Sequence, residues 1–119
     1  MIDHISLKVS DIEKSKVFYL AALKPLRYEE VLSFPHAVGL GISGKPDLWL
    51  MTGKSEPTHI AFLASDRATV DAFHKAALKS GGKDNGKPGL RSDYHANYYA
   101  AFVEDPDGNN IEAVCHHGG

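Results

Sequence analysis

The stretch His4-Ile5-Ser6-Leu7-Lys8-Val9-Ser10-Asp11 decides the fold, because it returns 55 residues later as His59-Ile60-Ala61-Phe62-Leu63-Ala64-Ser65-Asp66. The copy continues past it. Phe18 falls on Phe73, and Ala21-Ala22-Leu23-Lys24 falls on Ala76-Ala77-Leu78-Lys79, giving nine identities in the 21 positions from His4 to Lys24. With the commonest residues at roughly 7–10% each, chance supplies about one or two. The chain is therefore built from two related halves.

Each half opens with a strand pattern. Ile5, Leu7 and Val9 alternate with His4, Ser6 and Lys8, and Ile60 and Phe62 alternate with His59 and Ala61; period two marks a half-buried strand. Ser10-Asp11 and Ser65-Asp66 then offer side-chain oxygens to the free N–H groups of a first helical turn. Helices are predicted over 11–23 and 66–80, the second ended by Gly81-Gly82. Both halves close with a hairpin. Ala37–Ile42 and Leu48–Met51 flank Ser43-Gly44-Lys45-Pro46, and Tyr98–Glu104 and Asn110–Cys115 flank Asp105-Pro106-Asp107-Gly108. A further strand is expected near Tyr28–Leu32, and Gly82–Asn97 reads as the only long irregular stretch. The fold class is α+β: one domain over 1–119, made of two tandem βαβββ modules, about 1–54 and 55–119.

Alternation also separates faces. The apolar set of each first strand meets the helices, so His4 and His59 point away from them. On the last strand Ile111, Ala113 and Cys115 are the apolar set, which sends Glu112 to the helix-free face with Asn110 and Val114. In the third strand that face carries Ala37, Gly39 and Gly41, which predicts open space. An unpaired carboxylate between apolar neighbours is costly. Two neutral imidazoles and a carboxylate instead suit a divalent transition metal with positions left for substrate. His4, His59 and Glu112 are thus the candidate metal ligands. Fe, Mn, Zn, Ni and Co all remain open, with about one ion expected per chain.

Other residues read more plainly. Cys115, the single cysteine, is expected to be a buried small hydrophobe and not a nucleophile. Asp105 and Asp107 are expected to form a turn, and His74 to be solvated on its helix. The net charge of −2 favours neither nucleic acid nor an anionic membrane. No apolar run reaches the ~18 residues of a membrane span. Nothing near Met1 resembles a signal peptide, and a cytoplasmic location is expected.

Three segments carry a resemblance to a known group: Asp3 through Asp11, Thr58-His59-Ile60-Ala61-Phe62, and Asp105-Pro106-Asp107-Gly108-Asn109-Asn110-Ile111-Glu112. Together they resemble the vicinal-oxygen-chelate superfamily of glyoxalase I, extradiol dioxygenases, fosfomycin-resistance enzymes and bleomycin-resistance proteins. The resemblance implies curved mixed sheets forming a metal-centred cleft, with His4, His59 and Glu112 at ligand positions. It implies a metal-dependent enzyme acting on a small polar substrate whose oxygens chelate the ion, by lyase, isomerase, thiol-transfer or dioxygenase chemistry. Glu112 then holds the metal or acts as a base. A homodimer is also implied, because members often exchange modules between copies. The other outcome is a sequestering protein of the bleomycin-resistance type.

One position departs from glyoxalase I, which takes a fourth ligand, a glutamate, from the last strand of its first module. Aligned at an offset of 63, Leu48-Trp49-Leu50 meets Ile111-Glu112-Ala113, so Trp49 stands where that glutamate belongs. Three protein ligands are expected, with Trp49 as a wall of the substrate site. The two offsets differ by 63 − 55 = 8 residues, which places an insertion in Lys83–Asn97. Arg91, His95 and Asn97 from it, with Tyr98 just beyond, are the remaining candidates for substrate binding.

Overall fold

A computed structural model describes residues 1–118. Strand β1 (Ile5–Val9) runs into helix α1 (Ile12–Ala22), then β2 (Glu29–Phe34), β3 (Ala37–Ile42) and β4 (Lys45–Thr52). The second module repeats this as β5 (His59–Leu63), α2 (Arg67–Lys79), β6 (Lys83–Leu90), β7 (Tyr99–Glu104) and β8 (Asn110–Cys115). Each module is a four-stranded mixed sheet, ordered β1-β4-β3-β2 and β5-β8-β7-β6.

Both helices start where the side chains dictate. Asp11 caps α1 by accepting from Lys14 N, and Asp66 caps α2 by accepting from Thr69 N at 2.8 Å. Gly81, at φ +95°, takes the left-handed turn that ends α2, and Gly82 N–H returns to the Ala77 carbonyl. Leu7, Val9, Phe18, Leu50, Phe62, Phe73 and Ile111 all lie in one continuous core shared by the modules. Cys115 is fully buried there. No helix among the described residues is long and apolar enough to cross a membrane.

The repeat holds at the level of strand register. β1 lies parallel to β4 with Ser6 opposite Trp49, and β5 lies parallel to β8 with Ala61 opposite Glu112. Ser6 and Ala61 are themselves repeat equivalents, so Trp49 is the structural counterpart of Glu112.

Two expectations need correction. The stretch Gly82–Asn97 is not irregular throughout, because β6 fills Lys83–Leu90 and pairs with β7. Its glycines and proline conceal the strand, and the register breaks at Gly86 and Gly89 where they sit. The extra residues fall mainly in Arg91–Tyr98, which join β6 to β7 where Pro35-His36 alone join β2 to β3. Second, His74 is buried, not solvated, and its Nε2 lies 3.0 Å from Asp84 Oδ1 on β6. The two sheets remain separate. Among the described residues no strand pairing joins them, and α1 and α2 pack on each other as well as on their own sheets.

The capping and helix-to-strand carboxylates set an acid limit. Asp66 is held below the ordinary value of 3.8 by its hydrogen bonds from Thr69, and Asp84 by His74 first and then by the Gly86 N–H. A carboxyl depressed in the folded state adds stability above 3.8 that is lost as pH falls through its folded value. The thermal midpoint is therefore expected to drop between about pH 5 and pH 2, with Asp84→Asn flattening part of the drop. A variant curve parallel to wild type would refute the Asp84 contribution.

Candidate functional site

Glu112 is the centre of the site. It sits mid-strand on β8, on the face away from the helices, and is only 2% exposed. Burial of a carboxylate needs partners, and two flank it. His59 Nε2 lies 3.0 Å from Oε1, and the Tyr98 hydroxyl donates a short hydrogen bond to Oε2. Phe102, directly opposite on β7, stacks against the His59 ring at 6.3 Å between centroids.

The histidine's tautomer follows from its other nitrogen. Nδ1 lies 3.0 Å from the Asn110 carbonyl oxygen. A carbonyl only accepts, so Nδ1 carries the hydrogen. In the neutral ring, Nε2 then aims its lone pair at a carboxylate oxygen. Two acceptors at that distance need a proton between them, carried by the ring or by the carboxyl, or a metal ion. Anchoring of the outer ring N–H on a backbone carbonyl is how metal-binding histidines are usually oriented. The donor set of His59 and Glu112 therefore fits a divalent ion.

His4 is not brought to them. Its Nδ1 lies 2.7 Å from Asp3 Oδ2, in an exposed segment, and Lys45 Nζ approaches the same carboxylate at 3.2 Å. Among the described residues no three His, Cys, Asp or Glu side chains gather at one point. One chain thus assembles two of the three expected ligands.

The remaining candidates divide. Trp49 lies on the helix-free face of its sheet, but the predicted open space beside it is filled. Its ring edge comes to 3.0 Å from where a Cβ on Gly39 would stand, and the Lys45 carbonyl closes over Gly41. Phe34 stacks on Trp49 at 6.4 Å and 20°, extending an apolar wall that includes half-exposed Leu32. Arg91 lies over the Phe102 ring at 5.3 Å, with two guanidinium nitrogens donating to the Gly89 and Lys87 carbonyls. His95 and Asn97 are exposed, and His95 Nδ1 accepts the Asn97 backbone N–H at 3.2 Å. Tyr98 is the member of the group that touches Glu112. Burial, followed by the hydrogen bond to Glu112 and that residue's charge, pushes the Tyr98 phenol up to about 12.

Sequence reasoning passed over two residues. Phe34 follows the expected strand end at Leu32 and carries no motif. His116 lies just beyond β8 and carries no motif, yet its ring meets Tyr98 edge-on at 5.2 Å and His95 at 6.2 Å. A cleft of about 370 Å³ runs between the modules and reaches the site at His59, with Ile5, Ile60, Phe62, Asp3 and Asp47 among its other lining residues.

Comparison with known proteins agrees with this architecture. The family model described as Glyoxalase/Bleomycin resistance protein/Dioxygenase superfamily matches residues 1–113. The chain belongs to that superfamily. An uncharacterized protein of Bacillus subtilis, YqjT, is 31% identical, with 94% of this chain and 96% of that protein covered. A glyoxalase/bleomycin resistance protein from Albidiferax ferrireducens superposes at a TM-score of 0.82 with 28% identity, covering 97% of this chain and 98% of the other. A fosfomycin resistance protein, FosX from Listeria monocytogenes, was solved as a mutant with Mn(II) and a dihydroxypropylphosphonic acid. It shares the fold at a TM-score of 0.73 and 23% identity, covering 96% of this chain and 88% of that one.

Proposed function

We propose that the protein is a divalent-metal-dependent enzyme of the glyoxalase/dioxygenase type, acting on a small polar molecule whose oxygens chelate the ion. The observation that carries this reading is the His59 Nε2 to Glu112 Oε1 approach at 3.0 Å with Nδ1 committed to the Asn110 carbonyl. His59 and Glu112 hold the ion. His4 is the third ligand, contributed by a second copy in a homodimer, because within one chain it turns onto Asp3. FosX, which shares the fold, was itself solved with Mn(II). A bound divalent ion supplies Lewis-acid stabilisation of negative charge developing on a substrate oxygen.

The protein's own groups do the rest. Asn110 fixes the His59 ring. Phe102, with the Arg91 guanidinium over its ring, stands against one side of His59. Glu112, buried on the helix-free face, either holds the ion or, released from it, takes a proton from substrate. Tyr98 holds its own proton on the outer carboxylate oxygen at neutral pH. Trp49, His95 and Asn97 complete the proposed substrate contacts.

Elemental analysis of protein purified without an affinity tag tests the metal directly. About one divalent ion per chain is expected in wild type and a small fraction of that in His59→Ala. Equal content in both would end the reading. A second reading, sequestration of a drug or metabolite, is favoured by the stacked Phe34–Trp49 wall. Its signature is a ligand that binds metal-free and metal-loaded protein equally, with no turnover of thiol hemiacetals, catechols, fosfomycin or 2-oxo acids.

A further inference from the structure

Tyr98 falls outside the ligand set, yet it is better placed on Glu112 than a substrate contact needs to be. Its hydroxyl donates to Oε2, while Oε1 faces His59. Each oxygen of a buried carboxylate thus has one assigned neighbour. The tyrosine is itself held. Its backbone N–H donates to the His95 carbonyl at 3.1 Å, and its carbonyl accepts the Arg91 N–H at 2.7 Å. Those two bonds close the segment Arg91–Tyr98 onto itself. Tyr94 packs edge-on to the Tyr98 ring at 5.1 Å, and His116 does so from another side.

We infer that Tyr98 is a positioning residue that makes Glu112 a one-oxygen ligand. The phenol occupies Oε2 and leaves Oε1 as the oxygen presented to the ion, and the closed Arg91–Tyr98 segment holds the phenol there. The inserted loop therefore acts on the metal centre through one hydroxyl, before any contact with substrate. This role rests on the metal-site reading above.

The two are separated by titrating metal-free wild type, Tyr98→Phe and Tyr94→Phe with Co²⁺, recording affinity and the visible d–d absorption. Tyr94 is mostly exposed and has no hydrogen bond to Glu112, so its variant removes a hydroxyl from the same loop without touching the carboxylate. Loss of an outer partner to a ligand typically costs 10–100-fold in metal affinity. Tyr98→Phe is expected to bind Co²⁺ about 10-fold or more weakly. Its absorption should also weaken, because a carboxylate freed at Oε2 can bind through both oxygens, and higher coordination lowers the band intensity. Tyr94→Phe should match wild type in both. A Tyr98→Phe spectrum and affinity equal to wild type would overturn the inference while leaving the metal centre intact. So would an equal loss in Tyr94→Phe, which would assign the effect to loop packing. Wild type that takes up no Co²⁺ removes the metal reading, and this role with it.

Discussion

His4→Ala and His59→Ala are each expected to purify with little metal, and a refolded mixture of the two variants to regain about one ion per mixed dimer. Loss of a direct ligand should weaken binding by more than the ~10–100-fold that follows loss of an outer partner. In a mixed dimer one proposed site combines the intact His4 of one copy with the intact His59 and Glu112 of the other. The opposite site lacks both histidines. The expectation rests on a specific placement: His59 and Glu112 are 3.0 Å apart on neighbouring strands, while His4 pairs with Asp3. Metal content and size-exclusion elution, measured on each variant alone and on the mixture, give the result. A mixture no better loaded than its components would mean that His4 and His59 do not serve one ion from two copies.

How much of this was legible beforehand depends on the range of the interaction. The module boundaries, both N-caps and the Asp105–Gly108 turn lie in short stretches whose chemistry is local, and the repeat records the caps twice. The facing of Glu112 follows from alternation along one strand. The equivalence of Trp49 and Glu112 follows from the repeat, and the Ser6–Trp49 and Ala61–Glu112 registers carry it into the sheet. What could not be read is pairing between distant segments. Tyr98 reaches Glu112 because β7 lies antiparallel to β8, and no pattern in the loop announces it. β6 was missed because its sequence, Lys83 to Leu90, contains two glycines and a proline, which local preference assigns to a turn. The His74–Asp84 contact was missed for the same reason, since placing Asp84 required that strand. The gap beside Gly39 was misjudged because side-chain alternation gives a direction but not the volume Trp49 sweeps across its neighbour.

The largest stability effect is expected at Asp105, which couples the modules. The carboxylate is 5% exposed and accepts from four donors: the Tyr19 hydroxyl, the Asp107 N–H at 2.9 Å, and the Asn109 N–H and Nδ2, each at 2.8 Å. Three of these shape the turn before β8. The fourth crosses from α1 in the first module. Beside it, Asp107 accepts from Ser10 N at 3.2 Å, a second tie between the halves. Burial, and then the Asp105 charge, hold the fully buried Tyr19 phenol well above its ordinary value of 10.0. Asp105→Ala strands several buried donors at once, at roughly 1–3 kcal/mol each, so a loss of about 3–5 kcal/mol is expected. Tyr19→Phe removes one charge-assisted bond and leaves the turn intact, at about 1.5–3 kcal/mol, or roughly 5–10 °C in midpoint. The two variants also differ from wild type in alkali. A tyrosine raised in the folded state contributes stability that is present below 10.0 and lost as pH rises through its folded value. Tyr19→Phe should therefore show a shallower decline above about pH 10 than wild type. Thermal and urea unfolding at neutral pH, repeated at alkaline pH, measure both effects. Midpoints within about 2 °C of wild type for Asp105→Ala would show that the module contact is carried by the shared core and not by this carboxylate.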